Sequence, residues 1–143
     1  MIIMKGNQMS SKQIHLVDDD ITSLDIVAML FERKGFEVSR STSGAQTLEF
    51  INQVGLVSED TESKLKSPDI LVVDIMMPGM DGIETVKMLR DMGHSMPVIA
   101  FTASDDPELH ERAKNAGCER ILTKPCKSAR LLEAIECEIA KKG

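Results

Sequence analysis

The chain has 143 residues, 42% of them hydrophobic and 28% charged, which suits one domain with a sizeable core. A net charge of −6 without a long basic run argues against nucleic acid or an anionic membrane as the main partner. No apolar stretch approaches the roughly 20 residues of a membrane span, and MIIMKGNQMSSK is too weakly apolar for a signal peptide, so a cytoplasmic protein is expected.

After an N-terminal tail over residues 1–12, QIHLVDDD reads as a strand ending at Asp18. TSLDIVAMLFERKG carries apolar residues at Leu24, Val27, Ala28, Leu30 and Phe31, a helical period, with Gly35 as its stop. FEVSR is a short strand. SGAQTLEFINQV repeats the helical period through Ala45, Leu48, Phe50 and Ile51. The polar stretch 55–67 is longer than the usual connection of about 2–6 residues and reads as a solvated insertion, with a partner-binding loop as the alternative.

DILVVD is the third strand, and DGIETVKMLRDMG a helix ending at Gly93. MPVIAFT is a strand. DPELHERAKNAG is a helix with Asp106 as N-cap and Pro107 in its first position. ERILTK is the fifth strand, and KSARLLEAIECEIAKK the last helix, with Ser128 as its expected cap. Five strand–helix pairs predict an α/β fold with a parallel sheet and helices on both faces. The near-continuous apolar strands fit burial on both sides.

The strand ends carry the chemistry. Asp18, Asp19 and Asp20 end the first strand, Asp74 the third, Thr102 the fourth and Lys124 the fifth. In an open parallel sheet these ends lie along one edge, where such folds place their sites. Each residue alone reads as a turn, cap or surface group; their shared edge is what singles them out. Carboxylates brought together repel, and without compensation one is driven to its protonated form. A hard divalent cation such as Mg2+ relieves this, because it takes oxygen ligands and one or two carboxylates alongside phosphate oxygens. Asp19 and Asp74 would ligate directly and Asp18 through water. Lys124 adds a second positive charge and Thr102 a hydroxyl donor. Asp74, alone at its strand end, is the candidate nucleophile for an aspartyl phosphate.

The remaining features have structural readings. Cys118, Cys126 and Cys137 are odd in number, lack CxxC spacing and read as reduced thiols. His15 reads as a strand residue, and His94 and His110 as solvated. Gly79 and Gly82 read as turn glycines, and Met76, Met77 and Met80 as packing around that turn.

VDDD (17–20), VVDIMMPGMDG (72–82), FTAS (101–104) and LTKP (122–125) together resemble the receiver domain of two-component response regulators, over residues 13–141. The resemblance implies a flavodoxin-like fold with strand order 2-1-3-4-5. It implies phosphorylation of Asp74 by a histidine kinase or a His-phosphotransfer protein, and Mg2+ held by Asp18, Asp19, Asp74 and the backbone carbonyl of Met76. Thr102 matches the switch hydroxyl and Lys124 the phosphate-contacting lysine. A cis Lys124–Pro125 bond is implied too. An output face over residues 107–140 is expected, because Thr102 and Lys124 sit on the loops that lead into and border it. The chain departs from the pattern at Ile121, where relatives often carry a rotating aromatic, and in the 55–67 insertion.

The chain ends soon after the fifth helix, so a stand-alone receiver, monomeric or weakly dimeric, that signals to a separate downstream protein is expected; a fragment of a longer regulator is the alternative. A second is a Mg2+-dependent phosphohydrolase with an aspartate nucleophile. Such enzymes carry an acid two residues after the nucleophile, where this chain has Met76. A third is a degenerate receiver that signals by binding alone, disfavoured because all five pocket residues are present.

Overall fold

Strands and helices alternate in the computed structural model, which describes residues 12–56, 67–76 and 81–142. Strands are β1 (Gln13–Val17), β2 (Glu37–Ser41), β3 (Ile70–Asp74), β4 (Val98–Thr102) and β5 (Arg120–Thr123). Helices are α1 (Ile21–Arg33), α2 (Gly44–Leu56), α3 (Gly82–Asp91), α4 (Pro107–Ala116) and α5 (Ser128–Lys142). The strands form one parallel sheet in the order β2-β1-β3-β4-β5, as expected. No helix among the described residues is long and apolar enough to cross a membrane. The expected tail (residues 1–11), most of the insertion (57–66) and the turn at 77–80 with Met77, Gly79 and Met80 lie outside the described residues.

Alternation along each strand divides the core in two. Ile14 and Leu16 of β1, Ile70 and Val72 of β3, Ile99 and Leu122 pack with Leu24, Ala28 and Phe31 of α1 and with Leu131 and Ile135 of α5. Val17, Leu71, Val73, Val98 and Ala100 point the other way, onto Ile51 of α2, Ile83, Val86 and Leu89 of α3 and Ala113 of α4. Each fully buried Leu, Ile or Phe stabilises by about 1.5–3 kcal/mol relative to exposure.

Local signals behave mostly as expected. Asp106 caps α4 ahead of Pro107 as expected, whereas Asp20, grouped from the sequence with the acids that end the first strand, turns out to cap α1. Gly35 and Gly93 follow α1 and α3 at φ 98° and 91°, backbone that favours glycine. Four expectations need correction. Ser128 is the first residue of α5 and not its cap; the carbonyl of Lys127 opens the helix by accepting from Arg130 and Leu131. Leu30 and Ala45 face solvent, because α1 buries its Leu24–Ala28–Phe31 stripe and α2 its Thr47–Ile51–Val54 stripe. α2 runs on to Leu56, through the start of the expected insertion. Met76 is 57% exposed, so its side chain does not pack around the turn.

His15 is more than a strand residue. It is fully buried on the α2 side of β1. Its Nδ1 and Nε2 each pair at 2.7 Å with a hydroxyl of β2, Ser39 and Ser41, and its ring stacks on Phe50 with centroids 4.5 Å apart. Two serine hydroxyls satisfy a neutral imidazole, since each can donate or accept. Burial pushes its pKa down from 6.5 to about 4.

Folded His15 therefore stays neutral while the unfolded chain takes up a proton below about pH 6.5. Stability must fall as pH drops from about 6.5 to about 4, by about 3 kcal/mol in all from this group, and level off below. Urea denaturation across that window should show His15→Gln with a shallower pH slope than the parent chain; equal slopes would contradict the burial of a neutral imidazole.

Candidate phosphoryl-transfer site

Strand parity decides which side chains meet at the sheet edge. Asp18 follows Leu16, Asp74 follows Val72 and Lys124 follows Leu122, each two residues on, so all three point to the α1–α5 side. There they line a cavity of about 300 Å³ together with Leu24, Val27 and Phe101. Asp19 contributes from the β1–α1 turn: one oxygen each of Asp18, Asp19 and Asp74 lies within 4.8 Å of the others.

Lys124 compensates this charge directly. Its Nζ lies 3.3 Å from Asp18 Oδ2 and 3.6 Å from Asp74 Oδ2, and 5.1 Å from the centre of the Phe101 ring. The Lys124–Pro125 bond is cis, in line with the expectation. Asp74 is largely enclosed, with its side chain 12% exposed. Burial raises its pKa above the ordinary carboxylate range, and the neighbouring Asp18 and Asp19 add to this. The amide of Met76, which donates to Asp74 Oδ1 at 2.9 Å, and Lys124 pull it down. A carboxylate poised this way, among oxygen donors only, suits a hard divalent cation.

The other acids divide their labour. Asp18 Oδ1 accepts from the Asp20 amide at 2.9 Å, which shapes the turn. Asp20 points away to cap α1, accepting from Thr22 and Ser23, and the Ser23 hydroxyl holds its pKa low. The triple acid thus splits into two cluster members and one cap.

Thr102 has the opposite parity, following Val98 and Ala100 on the α2–α4 side, and is fully buried. Among the described residues its hydroxyl bonds to no carboxylate of the cluster. Its Oγ1 accepts the Ser104 amide at 3.1 Å, and its carbonyl accepts the Lys124 amide at 2.7 Å. Thr102 is therefore joined to the site through the Lys124 backbone. Ile121 is half-buried against the α2–α4 core.

Gly82, expected to be a turn glycine, lies beside the site and serves it differently. Its φ is not positive, so it serves no left-handed turn. A methyl group there would stand 2.6 Å from the carbonyl of Asp74 and from Cα of Ile75, and 2.9 Å from Val73 Cγ1. The absence of a side chain lets α3 start against the backbone that carries Asp74.

Known proteins point the same way. The family described as response regulator receiver domain matches residues 14–136. The heme response regulator HssR of Staphylococcus epidermidis is 36% identical over 126 residues; the alignment takes in 88% of this chain but 50% of HssR, so the chain spans about half that relative's length. The polar-differentiation response regulator DivK of Brucella ovis is 30% identical over 129 residues, covering 88% of this chain and 94% of DivK. Among solved structures, the receiver domain of Francisella response regulator 1452 superposes with a TM-score of 0.80 at 26% identity, covering 93% of this chain and all of that one.

Gly82→Ala should cost about 1–3 kcal/mol, the range for forcing a methyl group into packed surroundings. Because the clash falls on the Asp74 carbonyl, the carboxyl resonance of Asp74 should shift as well. An unchanged melting temperature together with an unchanged Asp74 resonance would show that the backbone yields at no cost.

Proposed function

The chain belongs to the response regulator receiver family, and from that premise we propose that it accepts a phosphoryl group on Asp74 from the phosphohistidine of a histidine kinase or a His-phosphotransfer protein. The convergence of Asp18, Asp19 and Asp74 with Lys124 at one sheet edge carries this reading. A carboxylate oxygen of Asp74 forms the bond to phosphorus as the phosphorus–imidazole bond breaks, and the electron pair leaves on the donor nitrogen. Phosphoryl transfer asks the protein mainly for positioning and charge neutralisation.

Each residue then has one task. The Met76 amide orients Asp74 through Oδ1. Lys124, already between Asp18 and Asp74, turns its ammonium to the phosphoryl oxygens. Thr102 donates its hydroxyl to them once the β4–α4 loop moves inward. Asp18, Asp19, Asp74 and the carbonyl of Met76 would hold Mg2+, which when bound neutralises charge on the transferred group. Output follows from the loop movement, on the face formed by α4, β5 and α5, toward a downstream protein in the cytoplasm.

Turnover as a phosphohydrolase is disfavoured by Met76. Two residues after the nucleophile, its exposed thioether has no proton to give a leaving group.

Incubation with acetyl phosphate and Mg2+ should add one phosphoryl group per chain, and Asp74→Ala should abolish it. Asp19→Asn should raise the Mg2+ needed for half-maximal phosphorylation. Without phosphodonor, Mg2+ at ten times its Kd should stabilise the fold by about 1.4 kcal/mol. Equal labelling of Asp74→Ala, or sustained release of product from a generic phosphate ester, would overturn the assignment.

A further inference from the structure

The β4–α4 connection has little core to hold it. Ala103, Asp105 and Asp106 are exposed, and Ser104 is half-buried. Hydrogen bonds hold it instead, and they converge on Ser104. Its amide donates to Thr102 Oγ1 at 3.1 Å, and its Oγ accepts the Asp106 amide at 3.2 Å. Its carbonyl accepts from Nε2 of His110 at 2.7 Å. A carbonyl oxygen only accepts, so His110 carries its hydrogen on Nε2. His110 lies on the second turn of α4, and its own amide donates to the Asp106 carbonyl. Among the described residues, this is the only side-chain bond from the body of α4 back to the connection. The expectation that His110 is simply solvated is thereby corrected.

We propose that His110 is a positioning residue that couples Thr102 to α4: its bond to Ser104 makes the connection and the first two turns of the helix move as one body. This rests on the reading of Asp74 as phosphoacceptor and deepens it. When the Thr102 hydroxyl is drawn to a phosphoryl group, Ser104 is drawn with it through the amide bond to Oγ1. A free connection of exposed residues would absorb that movement in its backbone torsions. With the Ser104 carbonyl fastened to the second turn of α4, the displacement passes to the helix. The route needs no aromatic in β5, where this chain has Ile121. The neighbouring Leu109 packs on the α2–α4 core, so movement of this turn also reaches the interior.

The test uses beryllofluoride with Mg2+ as the phosphoryl mimic and backbone amide resonances as the readout. In the parent chain, amides of 102–104 and of 108–116 should both shift. His110→Ala should keep the shifts at 102–104, and phosphorylation by acetyl phosphate within about twofold, while losing at least half of the response in 108–116. His110→Gln places an amide donor at comparable reach and should restore it, and Glu111→Ala, one residue on and exposed, should leave it intact. In the parent chain the His110 Nε2–H resonance should be protected from exchange both with and without beryllofluoride, a measurement that needs no variant to fold. A full α4 response in His110→Ala, or loss of that protection when the mimic binds, overturns the coupling role while the phosphoacceptor reading stands. A tenfold fall in phosphorylation of His110→Ala assigns the residue to the pocket and overturns it equally. No response of the parent chain to beryllofluoride removes the phosphoacceptor reading, and this inference with it.

Discussion

Three carboxylates within 4.8 Å of one another are a strained arrangement, and Lys124 is what the sheet edge offers against it. The ammonium sits within ion-pair distance of both Asp18 and Asp74 and leaves Asp19 exposed to solvent. Burial, more than like charge, holds the Asp74 pKa up, while Lys124 and the Met76 amide pull it down. The fold thus assembles the acids and one compensating lysine at a single sheet edge.

The assembly depends on strand parity more than on any single contact. Asp18, Asp74 and Lys124 share a side of the sheet because each lies two residues beyond a residue of the α1–α5 core. Thr102 lies on the other side and, among the described residues, meets the site through the Lys124 backbone. This separation places the charged groups of the site on the α1 side and the Thr102 hydroxyl on the α4 side. Gly82 belongs to the same plan, because a helix start pressed against the Asp74 carbonyl leaves the Asp74 backbone little freedom to drift.

His15 and His110 show two uses of the same side chain. His15 is enclosed between β1, β2 and α2, neutral and fully paired, and serves packing. His110 stands at the boundary between a helix and a largely exposed connection, and its one hydrogen bond to the Ser104 carbonyl is what the proposed coupling rests on. The difference lies in what surrounds each ring: a packed core resists displacement from every side, whereas a surface connection follows whichever end is pulled.

Much of this was legible in residue order. Apolar periodicity located all five strands and five helices, because a buried parallel strand and an amphipathic helix leave distinct patterns; Asp106 before Pro107 marked a helix start by local chemistry alone. The carboxylates, Thr102 and Lys124 announced themselves by ending apolar strands. The errors fell where the deciding partner is remote. Leu30 and Ala45 satisfy a helical period, but which stripe is buried depends on the sheet beneath. Gly82 looks like a turn glycine until α3 is seen to rest on Asp74. The partners of His15 come from β2 and α2, and that of His110 from a connection six residues back whose path no periodicity describes. Residue order determined the elements and the chemical inventory of the sheet edge, since both are written in local pattern and side-chain type. Only the tertiary structure decided which groups touch, because contacts across the sheet follow from register, parity and helix placement together.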